Sequence, residues 1–150
     1  MGMSLIVKKV TQFVIAIIFV FGINIVLFGH LTPGGGFAGG VILACGFILI
    51  MIAFGKEIAL RKVRKHIGHI LDSGAALMFL ALAMLGYAGG IFFFNFINQG
   101  NAFYLRSAGF IPLENIAIGI KVSASVFIGF VTLVLFGRWV DESISGSDEN

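Results

Sequence analysis

Four apolar segments of about twenty residues dominate this sequence, and they constrain its fold more than any other feature. They run approximately over 10–31, 37–55, 70–96 and 116–137. A helix of about 20 apolar residues crosses the ~30 Å hydrocarbon core of a bilayer. Because lipid offers no hydrogen bonds to the backbone, each segment is expected to be helical. The sequence therefore predicts an all-α integral membrane protein, with a four-helix transmembrane domain over 1–140 and a polar tail over 141–150.

The composition excludes a soluble fold. Of the 150 residues, 59% are hydrophobic and 11% are charged, whereas soluble domains have about 45–50% and 25%. A soluble chain of this length could not hide so much apolar surface behind a polar exterior. The net charge of +3 does not indicate nucleic-acid binding, because the basic residues cluster between apolar segments and not on one soluble face.

The basic residues predict the orientation in the membrane. Lys8 and Lys9 precede the first segment, five more basic residues lie within 56–65, and Arg138 follows the last segment. Four spans place all of these on one side, and Lys and Arg are preferentially retained in the cytoplasm. We therefore expect both termini and the 56–69 loop to be cytoplasmic. The acidic tail from Asp141 is expected to be disordered.

A glycine-rich stretch, GHLTPGGGFAGG over 29–40, separates the first two segments. Proline followed by three glycines cannot continue a helix, so one helix must end here and the next must begin a few residues later. His30 and Thr32 supply polar groups beside this break. Two interpretations stay open at this point. The stretch is either a tight interhelical turn, or it lines an ion route or docks a partner.

Pairs of glycines four residues apart predict sites of close helix packing. The second segment offers two such pairs and the third offers one. They are Gly35/Gly39, Gly36/Gly40 and Gly86/Gly90. Asn24, inside the first segment, is expected to hydrogen-bond across helices.

Lys121 is the clearest charged residue inside a predicted span, where a charge costs about 2.5–3.5 kcal/mol. It either snorkels to the membrane surface, or faces a polar cavity or a carboxylate of a neighbouring chain. A lysine in such a site can exchange protons. Glu114 opens the same helix, either as a favourable charge at the helix N-terminus or as a water-linked neighbour of Lys121. Asp72 and Ser73 suit a helix cap.

Candidates for catalysis and metal binding are absent from the sequence pattern. His30 and Ser73 are predicted at opposite membrane faces, so they cannot act together as base and nucleophile. His66 and His69 have no cysteine nearby to complete a metal site. We therefore expect no catalytic residues, no metal and no cofactor.

Two motifs carry a resemblance to a known family. GHLTPGGGF, followed by AGG and an apolar span, and ENIAIGIKV over 114–122 resemble the MrpB (MnhB) family, the small subunits of multisubunit cation/proton antiporters. Homologous subunits occur in archaeal membrane-bound hydrogenases and related respiratory complexes. The resemblance implies that Lys121 matches the family's buried lysine, and that five residues match its turn. These five are Pro33, Gly34, Gly35, Gly36 and Phe37.

The resemblance implies an accessory, non-enzymatic subunit of a Na+/H+ antiporter module in the plasma membrane of a prokaryote. Its partners would be other Mrp-type or hydrogenase-type membrane subunits, with Na+ and H+ as the ions. The sequence leaves open a stand-alone antiporter or the ion-translocating arm of a hydrogenase-type complex. A self-contained homo-oligomeric channel or small transporter is the alternative, although no internal repeat supports it, and a lipid-modifying enzyme is a third.

Overall fold

A computed structural model describes residues 3–55, 65–95, 97, 104 and 108–145 of the chain. Four helices span Leu5–Leu27 (α1), Gly35–Phe54 (α2), Lys65–Leu85 (α3) and Ile111–Ser145 (α4). All four are long and apolar enough to cross a membrane. The predicted all-helical class with four spans is confirmed. The basic residues of 56–64, on which the predicted orientation partly rests, lie outside the described residues.

The helices pack as a layer in which α2 and α4 are central. Helix α1 packs on α2, and α3 packs on α4, so α1 and α3 flank the central pair. A buried apolar cluster of Met51, Phe127 and Val131 joins α2 to α4 at the end remote from the glycine-rich turn. Many large apolar side chains point outward, among them Phe13, Val20 and Leu133. That exterior suits lipid and neighbouring helices rather than water.

Glycines allow α1, α2 and α4 to meet near the glycine-rich turn. A Cβ on Gly40 would lie 2.8 Å from the Gly119 carbonyl oxygen and 2.9 Å from Val122 Cβ, on α4. A Cβ on Gly39 would lie 3.0 Å from the Gly22 carbonyl oxygen, on α1. The two stripes of α2 thus face different helices of the same chain, and backbone rather than side-chain bulk sets their spacing.

Two helix ends differ from their predicted positions by more than five residues. Helix α3 ends at Leu85, earlier than the predicted limit of 96, and continues as a 3-10 turn over Gly86–Gly89. Gly90 then adopts φ 98°, a conformation that favours glycine and stops the helix. At the other terminus, α4 continues to Ser145, through part of the tail expected to be disordered. Extending a formed helix needs no new nucleus, which accounts for the extra turn.

Gly86 and Gly90 do not form a stripe on α3. A Cβ on Gly86 would lie 2.6 Å from the Phe94 amide nitrogen, so this glycine contacts the segment that follows it. A Cβ added at Gly90 would have no atom of the described residues within 4 Å. Asn95 then donates a hydrogen bond to the Ala108 carbonyl, and its side-chain oxygen accepts one from the Phe110 amide. These bonds tie both ends of the connection between α3 and α4.

The close approach of α2 and α4 predicts the effect of adding one methyl group. In Gly40→Ala, the new Cβ must push α4 away, and we expect a loss of about 1–3 kcal/mol of stability from overpacking. The matched control is Gly74→Ala, because no described residue has an atom within 4 Å of a Cβ there. Thermal unfolding of the detergent-solubilised protein measures both. Equal melting temperatures for the two variants would show that α2 and α4 do not touch at Gly40.

Candidate intramembrane polar site

An ion pair joins α3 to α4 inside the membrane-spanning segments. Lys121 Nζ lies 2.9 Å from Asp72 Oδ1 and donates a hydrogen bond to it. Lys121 is ten residues beyond Ile111, where α4 begins, which is about 15 Å along the helix. Asp72 is five residues into the Ile67–Gly89 span, about 8 Å from its start. The pair is therefore placed within the hydrocarbon region, where an unpaired charge would be costly.

Ser125 completes a cluster of three polar side chains. It lies one helical turn after Lys121, and its hydroxyl donates a hydrogen bond to the same Asp72 oxygen. Residues four apart share one face of a helix, so α4 presents both donors to the single carboxylate of α3. Within the described residues, Asp72 Oδ2 accepts no hydrogen bond. Asp72 is thus hydrogen-bonded through Oδ1, while Oδ2 has no partner among the described residues.

The pair is only partly covered by its own chain. The side chains of Lys121 and Asp72 are 44% and 29% exposed in the isolated subunit. The carboxylate that pairs with Lys121 is on α3 of the same chain. The cap interpretation of Asp72 is wrong, since α3 begins at Lys65, two turns earlier.

Polar residues form a line along one face of α4. Glu114 precedes Lys121 by two turns, and Thr132 follows Ser125 by two turns, so the four residues share a face. From Glu114 to Thr132 the line is about 27 Å long, at 1.5 Å per residue, which is close to the ~30 Å hydrocarbon thickness. One carboxylate oxygen of Glu114 is buried without a hydrogen-bond partner. We call Glu114, Lys121, Ser125 and Thr132 the polar line.

The glycine-rich turn packs on the start of α4, beside the beginning of the polar line. The Gly36 amide donates a 3.3 Å hydrogen bond to the Asn115 side-chain oxygen. Gly34 and Gly35 have φ values of 119° and 57°, which only glycine adopts without strain. A Cβ on Gly29 would lie 2.5 Å from Gly35 Cα, so the chain reverses very tightly. The turn therefore packs closely against α4, in addition to connecting α1 to α2.

The other predicted residues of the turn have separate environments. His30 Nε2 lies 3.2 Å from the Tyr104 carbonyl oxygen, while its Nδ1 is buried without a partner. Thr32 donates a hydrogen bond to the Phe28 carbonyl. Pro33 and Phe37 are exposed, and Phe37 is available to neighbouring molecules. The structure places these residues at the turn, away from the Lys121–Asp72 pair.

Asn24 lies on the outward face of α1. It lines an open groove there with five apolar or aromatic residues, and its side chain forms no hydrogen bond to the described part of the chain. The expected interhelical bond within this chain is therefore not seen. The groove residues besides Asn24 are Phe13, Ala16, Ile17, Val20 and Phe21.

Besides Asp72, which the sequence suggested as a helix cap, two site residues were missed from the sequence. Ser125 stands one turn after Lys121, and this spacing could have shown that both face the same partner. Asn115 follows Glu114 directly, but its contact with Gly36 joins residues 79 positions apart, which no local pattern reveals. Among the described residues, no three His, Cys, Asp or Glu side chains come together in a way that could hold a metal ion.

Comparison with known proteins decides the family. A family model described as a domain related to the MnhB subunit of Na+/H+ antiporter matches residues 6–128, which include all four membrane-spanning helices wholly or in large part. The chain belongs to the MnhB family. The matched region contains the glycine-rich turn, Asp72, Lys121 and Ser125.

The chain is also similar in sequence to two further proteins. An uncharacterized protein of Methanocaldococcus jannaschii is 41% identical over 135 residues, covering 85% of this chain and 51% of that protein. A candidate antiporter subunit, mnhB2, of Staphylococcus saprophyticus is 31% identical over 91 residues, covering 61% of this chain and 64% of that protein.

A solved structure shares the fold. A chain of the membrane-bound sulfane sulfur reductase, an archaeal respiratory membrane complex, superimposes with a TM-score of 0.71 at 31% identity. The match covers 83% of this chain and 55% of that one. The chain thus spans about half to two thirds of the length of these three similar proteins.

The Asn115–Gly36 hydrogen bond predicts how the turn responds to substitution. Asn115→Leu removes the acceptor and leaves the buried Gly36 amide unsatisfied, which costs about 1–3 kcal/mol. Asn115→Gln is the matched control, because it keeps a neutral amide oxygen that can accept the bond and adds no charge beside Glu114. We expect only the leucine variant to unfold at a clearly lower temperature in detergent. The same melting temperature for Asn115→Leu and the unmodified protein would show that the bond does not hold the turn to α4.

Proposed function

We propose that this chain is an accessory subunit of a multisubunit cation/proton antiporter module, in which it supplies a charged, exchangeable site at a subunit boundary. Membership of the MnhB family supports the subunit role. The Lys121–Asp72 ion pair supports the exchangeable site. The fold match to a chain of a respiratory membrane complex is compatible with a module that stands alone and with one joined to a redox arm.

The ion pair carries this proposal, because its two charges depend on each other. A carboxylate within hydrocarbon needs a cation beside it. The Lys121 ammonium now fills that role for Asp72, and a sodium ion is an alternative counter-ion that carboxylate oxygens can bind. When Lys121 releases its proton, Asp72 is left with a negative charge and no partner, so it attracts the cation. When the cation leaves, Asp72 favours a protonated Lys121 again.

This alternation conserves charge, because one proton leaves the site as one monovalent cation enters. The polar line gives the exchange a direction across the membrane. Glu114 lies two turns from Lys121 towards the glycine-rich turn, and water between them would let a proton move from one to the other. Ser125 donates to Asp72 in either state and keeps the carboxylate in place. The larger ion channel of the module would lie on other subunits.

A doubly neutral variant separates a transport role from a structural one. Lys121→Met alone leaves Asp72 unpaired, so it is expected to lose both assembly and exchange. Lys121→Met with Asp72→Asn removes both charges of the pair together, so neither is left without its partner and assembly is expected to recover. Cation-driven proton movement in inverted membrane vesicles containing the whole complex should still fall by about tenfold or more, since the exchangeable groups are gone.

The control for this experiment is Lys8→Met, which removes a lysine of α1 outside the pair and is expected to keep normal exchange. Subunit recovery is measured on the same vesicles by affinity purification. If the doubly neutral variant assembles and exchanges cations and protons at the normal rate, the pair serves only to hold α3 on α4, and the proposed exchange role is refuted.

A further inference from the structure

The outward side of the ion pair has unused hydrogen-bonding capacity. The Lys121 ammonium carries three donor hydrogens, and one of them is used by Asp72. Asp72 Oδ2 has no partner in the described part of the chain. With 44% of the Lys121 side chain and 29% of the Asp72 side chain exposed, these groups open away from the bundle. They lie at a depth where acyl chains cannot accept or donate hydrogen bonds.

The surface around the pair is shaped for close approach by a helix. Following Lys121 towards the remote end, α4 exposes Ser125, Gly129 and Thr132, which are all small. In the described part of the chain, nothing lies within 4 Å of a Cβ added at Gly129. Small residues at such spacing let the backbones of two membrane helices come together. The same face therefore offers polar groups to be satisfied and space for a helix that satisfies them.

We infer that a transmembrane helix of another subunit docks on this face of α4, and that it carries a side chain accepting a hydrogen bond from Lys121 Nζ. A partner helix with a carboxylate, amide or hydroxyl at that depth supplies the missing acceptor, whereas an acyl chain supplies none. The docked helix would also cover the polar line, which would then lie between two subunits and be shielded from lipid.

The inference rests on the proposed subunit role, but it does not need the exchange of protons by Lys121. Its test is therefore an assembly measurement. Gly129→Leu adds a side chain on the outer face of α4, where an added Cβ meets no described atom within 4 Å, so the isolated subunit should fold normally. The matched control is Gly74→Leu, since Gly74 is equally open but lies about 200° around α3 from Asp72, at 100° per residue.

We expect Gly129→Leu to reduce recovery of the other subunits with the affinity-tagged chain by about tenfold, which corresponds to a steric penalty of about 1.4 kcal/mol. Gly74→Leu should leave recovery unchanged. Normal melting of the isolated Gly129→Leu subunit in detergent verifies that its fold is intact. Normal recovery of the complex with Gly129→Leu would overturn the inference.

A photo-crosslinking amino acid at position 129, in membranes containing the whole complex, identifies the neighbour directly. A crosslink to a different subunit supports the inference. A crosslink to a second copy of this chain, or to lipid alone, contradicts it. Transport is not measured in either experiment, so failure of the docking inference is distinct from failure of the exchange proposal.

Discussion

The ion pair between Lys121 and Asp72 determines how α3 lies on α4, because neither charge can be left alone inside a bilayer. The two helices otherwise meet through apolar and small residues, which fix no particular rotation about the helix axis. Pairing one lysine with one carboxylate, with Ser125 donating to the same oxygen, selects a single register. That register also leaves the pair on an open face, so the feature that orients the helices also creates the candidate site.

The glycine-rich turn positions α1 and α2 against α4. It brings α1, α2 and α4 so close that backbone atoms replace side chains at their contacts, as at Gly40 and Gly119. Asn115 fastens the turn to the first part of α4, beside Glu114. The turn therefore fixes the position of the helix that carries the polar line. This arrangement links the two motifs of the MnhB family, the turn and the lysine-bearing helix, as parts of one structural unit.

The number of helices followed from the sequence because hydrocarbon thickness dictates the length of each apolar run. The importance of Lys121 followed from the cost of a buried charge, but its partner did not. Asp72 stands near the start of an apolar run, where capping is the common role, and only the observed start of α3 at Lys65 places it inside the helix. The early end of α3 was missed because Gly86 and Gly90 suit both a packed helix and a terminus, and the positive φ of Gly90 decides between them.

The role of the ion pair is tested most directly by an experimental structure of the intact complex in lipid nanodiscs, examined at the depth of Lys121. We expect Lys121 Nζ and an Asp72 oxygen to lie within hydrogen-bonding distance, with protein of another subunit or ordered water, and not acyl chains, over their open side. If Lys121 instead extends to the headgroups, with Asp72 apart from it, the pair does not set the packing of α3 on α4.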